Sequence, residues 1–302
     1  MSYHVIHIRT HGAVLKRHRG RIRLMPPDGS EQPERSIALE DIKALIIAAR
    51  GVTITSATFS ALLEQGGCIV HCNNRYVPVG MSLPLPRVVC GDAMRNQLVQ
   101  PKVLNKNIWK TLLRQKIENQ AHVLDSLECS NHRLWAQLKS SSLDEGNSAR
   151  HYWSKYFPAL GWGKMRRDRR LHTKPNLMLN YGYTVLTTLC HQALIAHGLN
   201  VQLGVNHVAR YRSDPLVYDL VEPFRAMIDL LLADYCHENE MINVDDWCEY
   251  VGKNLKELRI PHTSYSLKLI NAIDKAASTL AKSYTHKDIT RLWVPSLRPQ
   301  DD

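Results

Sequence analysis

The stretch SDPLVYDLVEPFRAMIDLLL, residues 213–232, decides how the second half of the chain folds. It opens with a helix start signal, because Ser213 or Asp214 can cap the first turn and Pro215 suits the first helical position. At about 100° per residue its large apolar side chains share one broad face, which predicts a helix packed on a core. These side chains are Leu216, Val217, Leu220, Val221, Phe224, Met227, Ile228 and Leu231.

Four charged residues, Asp219, Glu222, Arg225 and Asp229, fall on the other side of this helix. A polar face in water is the simplest interpretation. Pro223, however, removes one helix hydrogen bond, frees the carbonyl of Asp219 and predicts a bend beside two acids. Such a bend suits a hard divalent cation, whose preferred ligands are oxygens. The residues by themselves leave both interpretations open.

The rest of the chain changes from strand-like to helix-like patterns near residue 85. Short alternating apolar runs and turn-rich loops fill the first part, and three-and-four spacing of apolar residues fills the second. The sequence therefore predicts an α+β protein, with a small β-rich domain over residues 1–85 and a larger all-α domain over 86–302. The linker is expected at about residues 82–92, where SLPLPRVVCGD contains two prolines and a glycine.

Several local expectations accompany this division. Ser56 is expected to cap a short helix, and Asp144 or Ser142 to cap the helix that Glu145 opens. A long apolar helix is expected to start at Pro175 and stop at Gly198. SYSLKLINAIDKAASTLAKSY predicts the last helix, and the tail VPSLRPQDD is expected to be frayed.

Composition points to a polyanionic partner. The chain has 302 residues, a net charge of +11 and 44% hydrophobic residues, with a sequence pI near 9.3. This charge favours nucleic acid first among partners. No apolar run reaches the roughly 18 to 20 residues that span a bilayer, and no signal peptide is recognisable. A cytoplasmic protein is expected.

The seven cysteines include a close group in CIVHC, where Cys68, His71 and Cys72 invite a zinc interpretation. A structural zinc site needs four ligands, and the sequence offers no second half. Buried thiols of a reduced protein are the favoured interpretation.

The strongest local charge signal is the basic cluster in GWGKMRRDRRLHTKP. It has loop composition, and its cations are opposed only by Asp168. These cations are Lys164, Arg166, Arg167, Arg169, Arg170 and Lys174. They predict contacts with a nucleic-acid backbone and strong salt dependence. A solvated loop without a partner is the alternative.

Four ordered motifs resemble one family along nearly the whole chain. They are KIENQAHVL, DEGNSARHYWSKYF, PNLMLNYGYTVL and GVNHVARYRSDPLVYDLVEPFR. Together they resemble the CRISPR-associated spacer-acquisition integrase and endonuclease family (Cas one), and most of all its type II-like variants. The resemblance implies a metal-binding catalytic triad of Glu145, His207 and Glu222, with Asp219 as a supporting acid. It also implies Mg²⁺ or Mn²⁺ as the cofactor.

The activity that the resemblance implies is DNA integration. The 3′-hydroxyl of a captured double-stranded fragment would attack a phosphodiester at a CRISPR repeat, and the same site would act as an endonuclease. The implied partners are this DNA, a second copy in a homodimer formed largely through the β domain, and a small companion subunit (Cas two). For a type II member, the resemblance further implies an effector nuclease and an accessory adaptation protein.

The sequence leaves two alternatives open. The first is a basic DNA-binding scaffold without catalysis, against which the presence of Glu145, His207 and Glu222 argues. The second is a transposon-type integrase of the same fold. Such integrases usually carry a further DNA-binding domain, for which the short tail after residue 290 leaves no room.

Overall fold

The computed structural model describes most of the chain, namely residues 4–73, 78–85, 91–208, 214–262 and 264–298. Residues 86–90 of the predicted linker lie outside these ranges. The chain divides into two compact units. The first is made of Met1–Arg87 and Cys248–Glu257, and the second of Val88–Trp247 and Leu258–Asp302. Among the described residues, every helix is too short or too polar to cross a membrane.

Strands dominate the first unit. In chain order they are β1 (His4–Ile8), β2 (Val14–His18), β3 (Arg21–Met25), β4 (Arg35–Ala38), β5 (Ile42–Ile47), β6 (Thr53–Ile54), β7 (Cys68–Cys72) and β8 (Pro78–Ser82). One sheet has the order β1-β5-β7-β8, with β1, β5 and β7 parallel and β8 antiparallel to β7. The other sheet has the order β4-β3-β2-β6, and it is antiparallel except for the β2–β6 pair.

The core of this unit forms because the central strands are continuously apolar, as parallel strands covered on both faces usually are. Leu45 and Ile69 are almost fully buried and cluster with Leu62 of helix α1 (Ser56–Glu64). The cap of this helix is Thr55 and not Ser56, because the Thr55 hydroxyl accepts the backbone N–H of Thr58.

Helices dominate the second unit. They are α2 (Gly91–Leu98), α3 (Lys102–Ser126), α4 (His132–Lys139), α5 (Glu145–Ala159), α6 (Lys174–Ala196), α7 (Pro215–Val221), α8 (Arg225–Glu238), the start of α9 (Val244–Asn254) and α10 (Leu269–His286). A short antiparallel hairpin joins β9 (Arg259–Pro261) to β10 (Ser266–Lys268). The strand-rich first part and helical second part confirm the predicted α+β class.

The structure differs from the sequence expectations near the C-terminus. The last helix starts at Leu269, because Ser266–Lys268 pair with β9 instead of continuing the helix. The tail is not frayed through residue 298, since Val294 and Ser296 are buried. Asn119 of α3 holds it by donating to Pro295 O at 2.9 Å and accepting from the Leu297 N–H at 3.0 Å.

Helix α3 supports the site described below. It packs against α5, α7, α8 and the turn between α7 and α8. Its amide side chain at Asn119, fully buried, also donates to the carbonyl of Pro223 at 2.9 Å. A buried polar group of this kind is stable only when it is hydrogen-bonded, so Asn119 ties the tail and the α7–α8 turn to one point on α3.

Candidate functional site

The acids of the decisive stretch are buried. Asp219 and Asp229 are 0% exposed and Glu222 is 3% exposed. A polar face in water is therefore the wrong interpretation for these three residues. Buried carboxylates need partners, because removing an ion from water costs several kcal/mol unless it is paired or hydrogen-bonded. The partners of each acid distinguish its role.

The start of helix α7 agrees with the prediction at Pro215 but not at its cap. Asp214 occupies the cap position, yet its side chain accepts no N–H group of the helix. Its carboxylate instead accepts from the Gln202 amide and lies 3.2 Å from Nε2 of His191. Ser213, the other expected cap, lies outside the described residues.

The helix is interrupted at Pro223, the residue at which the sequence predicts a bend. Helix α7 ends at Val221, a single 3-10 turn spans Glu222–Phe224, and α8 resumes at Arg225. The turn places Glu222 at the junction, where its side chain points toward α3 and not along a continuous helix surface. Its Oε2 atom lies 2.6 Å from Nζ of Lys116.

Glu222 and Glu145 converge on the ammonium group of Lys116. Nζ of Lys116 lies 2.7 Å from Glu145 Oε1 and 2.6 Å from Glu222 Oε2. Arg225 adds a second cation, 3.0 Å from Glu222 Oε1. Burial acts to raise the pKa of Glu222, but Arg225 and Lys116 outweigh it, so the pKa lies below its ordinary value. Glu222 is therefore a carboxylate at neutral pH.

Glu145 reaches this point because it is the first residue of α5. Asp144 caps the helix, as one of the two expected candidates, by accepting the backbone N–H of Asn147 at 2.9 Å. The side chain of Glu145 remains 41% exposed, in contrast to that of Glu222. The pair thus joins one deeply held carboxylate to one that solvent or a ligand can reach.

His207 is oriented by Asp219. Its Nδ1 atom lies 2.7 Å from Asp219 Oδ1, and the same carboxylate accepts the backbone N–H groups of Val205, Asn206 and His207. This hydrogen bond raises the pKa of His207 against the opposing effect of burial, and the charges of Asp219, Glu222 and Glu145 raise it further. With Nδ1 engaged, Nε2 is the nitrogen left for a ligand.

Gly204 allows the loop to approach Asp219 closely. A Cβ atom at this position would clash with His207 O and would lie 3.1 Å from Asp219 Oδ2. No side chain fits there without moving the backbone that presents His207. Residue 204 is therefore a glycine because there is no space for a side chain.

The donor set suits a hard or borderline divalent cation. It consists of two carboxylates and an imidazole with one nitrogen held by a further acid, which matches the preferences of Mg²⁺ and Mn²⁺. Within the described ranges, no group of three His, Cys, Asp or Glu side chains is close enough together to hold a metal ion. The Lys116 ammonium instead stands in for a cation between Glu145 and Glu222. The residues fit a divalent cation in its place.

Lys116 is the member of this site that sequence reasoning missed. Its side chain is only 10% exposed, which is unusual for lysine unless it is paired. The signal was available, since Lys116 is the first residue of the KIENQAHVL motif. Helical periodicity alone predicts that a lysine at this position is exposed to solvent.

Asp229 has a different role from the other acids. It accepts hydrogen bonds from Tyr152 OH at 2.8 Å and Tyr183 OH at 2.5 Å, and its backbone carbonyl accepts from Tyr156 OH at 2.7 Å. Burial raises the pKa of Asp229 to about 6, although both side-chain hydrogen bonds act to lower it. The cluster joins α5, α6 and α8, so it fixes the helix that carries Glu145.

The basic cluster forms a loop that is anchored by one of its own arginines. Arg167 donates to Asn176 Oδ1 and Asn180 Oδ1 at 2.8 Å each, and its guanidinium lies 5.3 Å from the Tyr183 ring centroid. Lys174 is exposed and donates to Ile242 O at 2.7 Å. The remaining cations, Lys164, Arg166, Arg169 and Arg170, are exposed. The structure therefore distinguishes a supporting arginine from outward-facing cations.

The cysteines of CIVHC belong to strand β7. Cys68 is fully buried and Cys72 is partly buried. Burial raises the pKa of Cys68 to about 12 and that of Cys72 to about 11. Both thiols are consequently protonated near neutral pH, a state in which they are poor metal ligands.

Comparison with known families gives a match over most of the chain. The family described as CRISPR associated protein Cas1 matches residues 6–250. A CRISPR-associated endonuclease Cas1 from Neisseria meningitidis serogroup C is 28% identical over 277 residues, which cover 87% of this chain and 88% of that protein. A protein of the same description from Methanospirillum hungatei is 28% identical over 214 residues, 64% of each chain.

Solved structures share the fold. A casposase bound to an integration product superposes with a TM-score of 0.83 at 18% identity, covering 100% of this chain and 95% of the casposase. A Cas1 protein from Thermotoga maritima gives a TM-score of 0.73 at 18% identity, covering 93% and 96%. A Cas6-RT-Cas1–Cas2 complex gives 0.69 at 17% identity, covering 97% of this chain and 36% of that one.

Proposed function

We propose, from the fact that the chain belongs to the CRISPR-associated Cas1 family, that it is a divalent-metal-dependent DNA endonuclease and integrase of CRISPR adaptation. It would insert captured double-stranded fragments at the repeat by transesterification with a 3′-hydroxyl. Glu145, His207 and Glu222 would hold the metal, and Asp219 would keep His207 in the orientation that binding requires.

A single observation carries this proposal. Carboxylates from the first turn of α5 and from the α7–α8 turn meet at one cationic atom, at 2.7 and 2.6 Å. The imidazole of His207, which feels the charges of both carboxylates, is oriented by a third acid at 2.7 Å. A structural ion pair explains the carboxylates and Lys116, but it does not explain why Asp219 holds Nδ1 of a His207 side chain that is 41% exposed.

The chemistry divides between the cofactor and the protein. Bound at this site, Mg²⁺ or Mn²⁺ would offset the charge that develops on the phosphoryl oxygens and would activate the attacking hydroxyl. Glu222 is held as a carboxylate by its pairing with Arg225, so it supplies a fixed negative charge. Glu145, whose side chain is 41% exposed, would be the ligand that remains accessible to DNA.

The basic loop would position the DNA backbone. We assign direct phosphate contacts to Lys164, Arg166, Arg169, Arg170 and Lys174, and to Arg167 the support of the loop through Asn176 and Asn180. Phosphate contacts of this kind set affinity and register and do not read sequence. Recognition of the repeat would then depend on other surfaces or on partners.

The proposed partners follow from the proteins that share the fold. One solved relative is a casposase bound to an integration product, and others are a Cas1–DNA complex and a Cas6-RT-Cas1–Cas2 complex. We therefore propose double-stranded DNA and a small companion subunit of the Cas2 type as partners of this chain. A second copy of the chain is proposed from the family resemblance alone. A type II setting, with an effector nuclease and an accessory protein, is part of the same proposal.

A transposon-type integrase is the second candidate, and the casposase likeness favours it. The shared fold covers 100% of this chain and 95% of the casposase chain. The sequence match to proteins described as CRISPR-associated endonucleases supports the CRISPR assignment instead.

Strand transfer tests the main proposal. A duplex with free 3′-hydroxyl ends is incubated with a supercoiled plasmid carrying a CRISPR repeat, with Mn²⁺, and with or without the companion subunit. We expect joined product from the wild type, localised at the repeat, and none from Glu222→Gln. Glu249→Gln, on an exposed position of α9, is the matched control and should behave as wild type.

Each alternative predicts a different result in this assay. Equal activity of wild type and Glu222→Gln would remove the catalytic assignment. DNA binding without product in any metal would favour the scaffold. Insertion that ignores the repeat and needs no companion would favour the transposon-type integrase.

A further inference from the structure

Lys116 occupies the point at which the two proposed metal-binding carboxylates meet. Its Nζ atom lies within 2.7 Å of Glu145 Oε1 and 2.6 Å of Glu222 Oε2, and its side chain is 10% exposed. Lysine is almost never buried unless it is paired, so these two carboxylates account for its position. Nothing in the proposed chemistry assigns a role to this ammonium group.

The ammonium and a divalent cation compete for the same oxygens. Mg²⁺ binds oxygen ligands at about 2.0 to 2.1 Å, closer than the ammonium lies now. A lysine nitrogen held between the same two oxygens would then stand close to the metal, and the two like charges would repel strongly in a partly buried site. A cation bound to Glu145 Oε1 and Glu222 Oε2 therefore requires Nζ to leave its present position.

We propose that Lys116 is an internal counter-ion that holds Glu145 and Glu222 together in the metal-free protein, and that cation binding must displace it. The inference rests on the proposed function, because it takes these carboxylates as metal ligands. Without a metal, Lys116 prevents repulsion between the two acids and keeps Glu222 paired. With a metal, it lowers the apparent affinity by the fraction of molecules in which the ammonium occupies the site.

The displaced ammonium has a natural new partner in the DNA backbone. Lysine carries its charge on a flexible four-carbon stem, so the head can move while the stem stays packed. A phosphate at the site would accept it and would stabilise the displaced position. DNA binding should then strengthen cation binding, and by reciprocity the cation should strengthen DNA binding. Lys116 would make metal loading depend on the presence of DNA.

Mn²⁺ binding to the metal-free protein tests the competition directly. Free Mn²⁺ is measured by electron paramagnetic resonance for wild type, Lys116→Met, Lys116→Gln and Lys116→Arg, without DNA. We expect Lys116→Met and Lys116→Gln to bind Mn²⁺ about tenfold more tightly than wild type. This factor applies if the ammonium occupies the site in about 90% of wild-type molecules, because only the remaining 10% can then bind the metal. Lys116→Arg keeps the charge and should not gain affinity. Lys110→Met, on an exposed position of the same helix, is the control.

Thermal unfolding gives a second readout that needs no activity. Lys116→Met leaves Glu222 without one of its two cations, so its melting temperature without metal should fall below that of wild type. Mn²⁺ should then raise the melting temperature of Lys116→Met by more than it raises that of wild type. An equal Mn²⁺-induced shift in both proteins would contradict displacement.

The DNA dependence separates this inference from the proposed function. A short duplex should tighten Mn²⁺ binding in wild type and have a smaller effect in Lys116→Met. If both proteins bind Mn²⁺ with the same affinity, and Glu222→Gln abolishes the binding, Lys116 is not a competitor and only this inference fails. If Glu222→Gln leaves Mn²⁺ binding unchanged in both backgrounds, the metal site itself is wrong.

Discussion

His207 Nδ1 lies 2.7 Å from Asp219 Oδ1, and the carboxylate that makes this hydrogen bond is completely buried. The same carboxylate accepts three backbone N–H groups of residues 205–207. Asp219 therefore fixes both the loop and the orientation of the imidazole ring. This relationship explains why an acid that faces no solvent stands one turn before Glu222.

Asp219→Asn should weaken metal binding without removing a direct metal ligand. An asparagine replaces one carboxylate oxygen by an NH₂ group, which cannot accept a hydrogen bond from the backbone N–H groups of residues 205–207 or from Nδ1 of His207. Some of these hydrogen bonds are then lost, and the ring of His207 is free to rotate. Loss of an orienting partner typically costs 10- to 100-fold in metal affinity, and loss of such buried hydrogen bonds costs about 1–3 kcal/mol of stability. Mn²⁺ titration and urea unfolding measure the two effects.

Asp246→Asn serves as the control for this substitution, because Asp246 is exposed in the first turn of α9. It should leave both quantities within experimental error of wild type. If Asp219→Asn binds Mn²⁺ as tightly as wild type, Asp219 supports the fold of the loop and does not orient a ligand.

His207 makes the stability of the metal-free protein depend on pH. The hydrogen bond to Asp219, opposed by burial and helped by nearby carboxylates, raises the pKa of His207. The folded protein therefore holds this proton more tightly than the unfolded chain, whose histidine titrates near about 6.5. The resulting stabilisation is complete below about pH 6.5 and is lost as the pH rises through the higher folded pKa.

Urea unfolding of wild type and His207→Gln between about pH 5.5 and 8.5 checks this dependence. The stability difference between them should shrink as the pH rises. The raised pKa also means that Mn²⁺ must displace a proton below it, so Mn²⁺ affinity should increase over the same pH range. An imidazole whose pKa by NMR is no higher than that of an unfolded chain would contradict both expectations.

Local chemistry could predict the helical character of residues 213–232, the start at Pro215 and an irregularity at Pro223. It did not predict the 3-10 turn that divides the segment into α7 and α8. It could not separate water from burial for Asp219, Glu222 and Asp229. Their environments come from residues far away in the chain, such as Lys116 on α3 and Tyr152 on α5. In the sequence, a buried acid that has a buried partner cannot be distinguished from an acid exposed to water. The polar positions of a helix that is packed on several sides therefore do not show which of them are solvated.

The family resemblance identified Glu145, His207 and Glu222 as a group, and the structure places all three in the second unit. Lys116 was not identified, although it lies between two of them. From its charge alone, Arg167 was also assigned to DNA contacts like the neighbouring cations. Only the side-chain packing on Asn176, Asn180 and Tyr183 distinguishes it.

Tyr183→Phe should destabilise the helical unit by about 1–3 kcal/mol. The substitution removes the hydroxyl that donates to Asp229 Oδ1 at 2.5 Å and leaves a buried oxygen short of one partner. Chemical unfolding measures the change, with Tyr265→Phe as a control because Tyr265 is 53% exposed. A loss of stability no larger than that of the control would mean that Tyr152 and the nearby arginines suffice to stabilise the carboxyl group of Asp229.

The basic loop allows DNA binding to be separated from folding. Replacing Arg166 and Arg170 with Gln removes two exposed charges that make few interactions within the protein, whereas Arg167→Gln removes the anchor to Asn176 and Asn180. For the double variant we expect weaker binding and a salt slope that falls by roughly 0.9 for each phosphate that is no longer neutralised. Its unfolding free energy should stay within about 0.5 kcal/mol of wild type.

Arg167→Gln should show the opposite pattern. The Asn176 and Asn180 side chains lose a charged donor, and the aromatic face of Tyr183 loses a cation, so stability should fall by about 1–3 kcal/mol. Its salt slope should stay near that of wild type wherever the protein remains folded, because its guanidinium faces inward. Fluorescence anisotropy of a labelled duplex at several salt concentrations, paired with urea unfolding, measures both. If Arg167→Gln flattens the salt slope as much as the double variant does, the guanidinium of Arg167 contacts phosphate and the loop must rearrange when DNA binds.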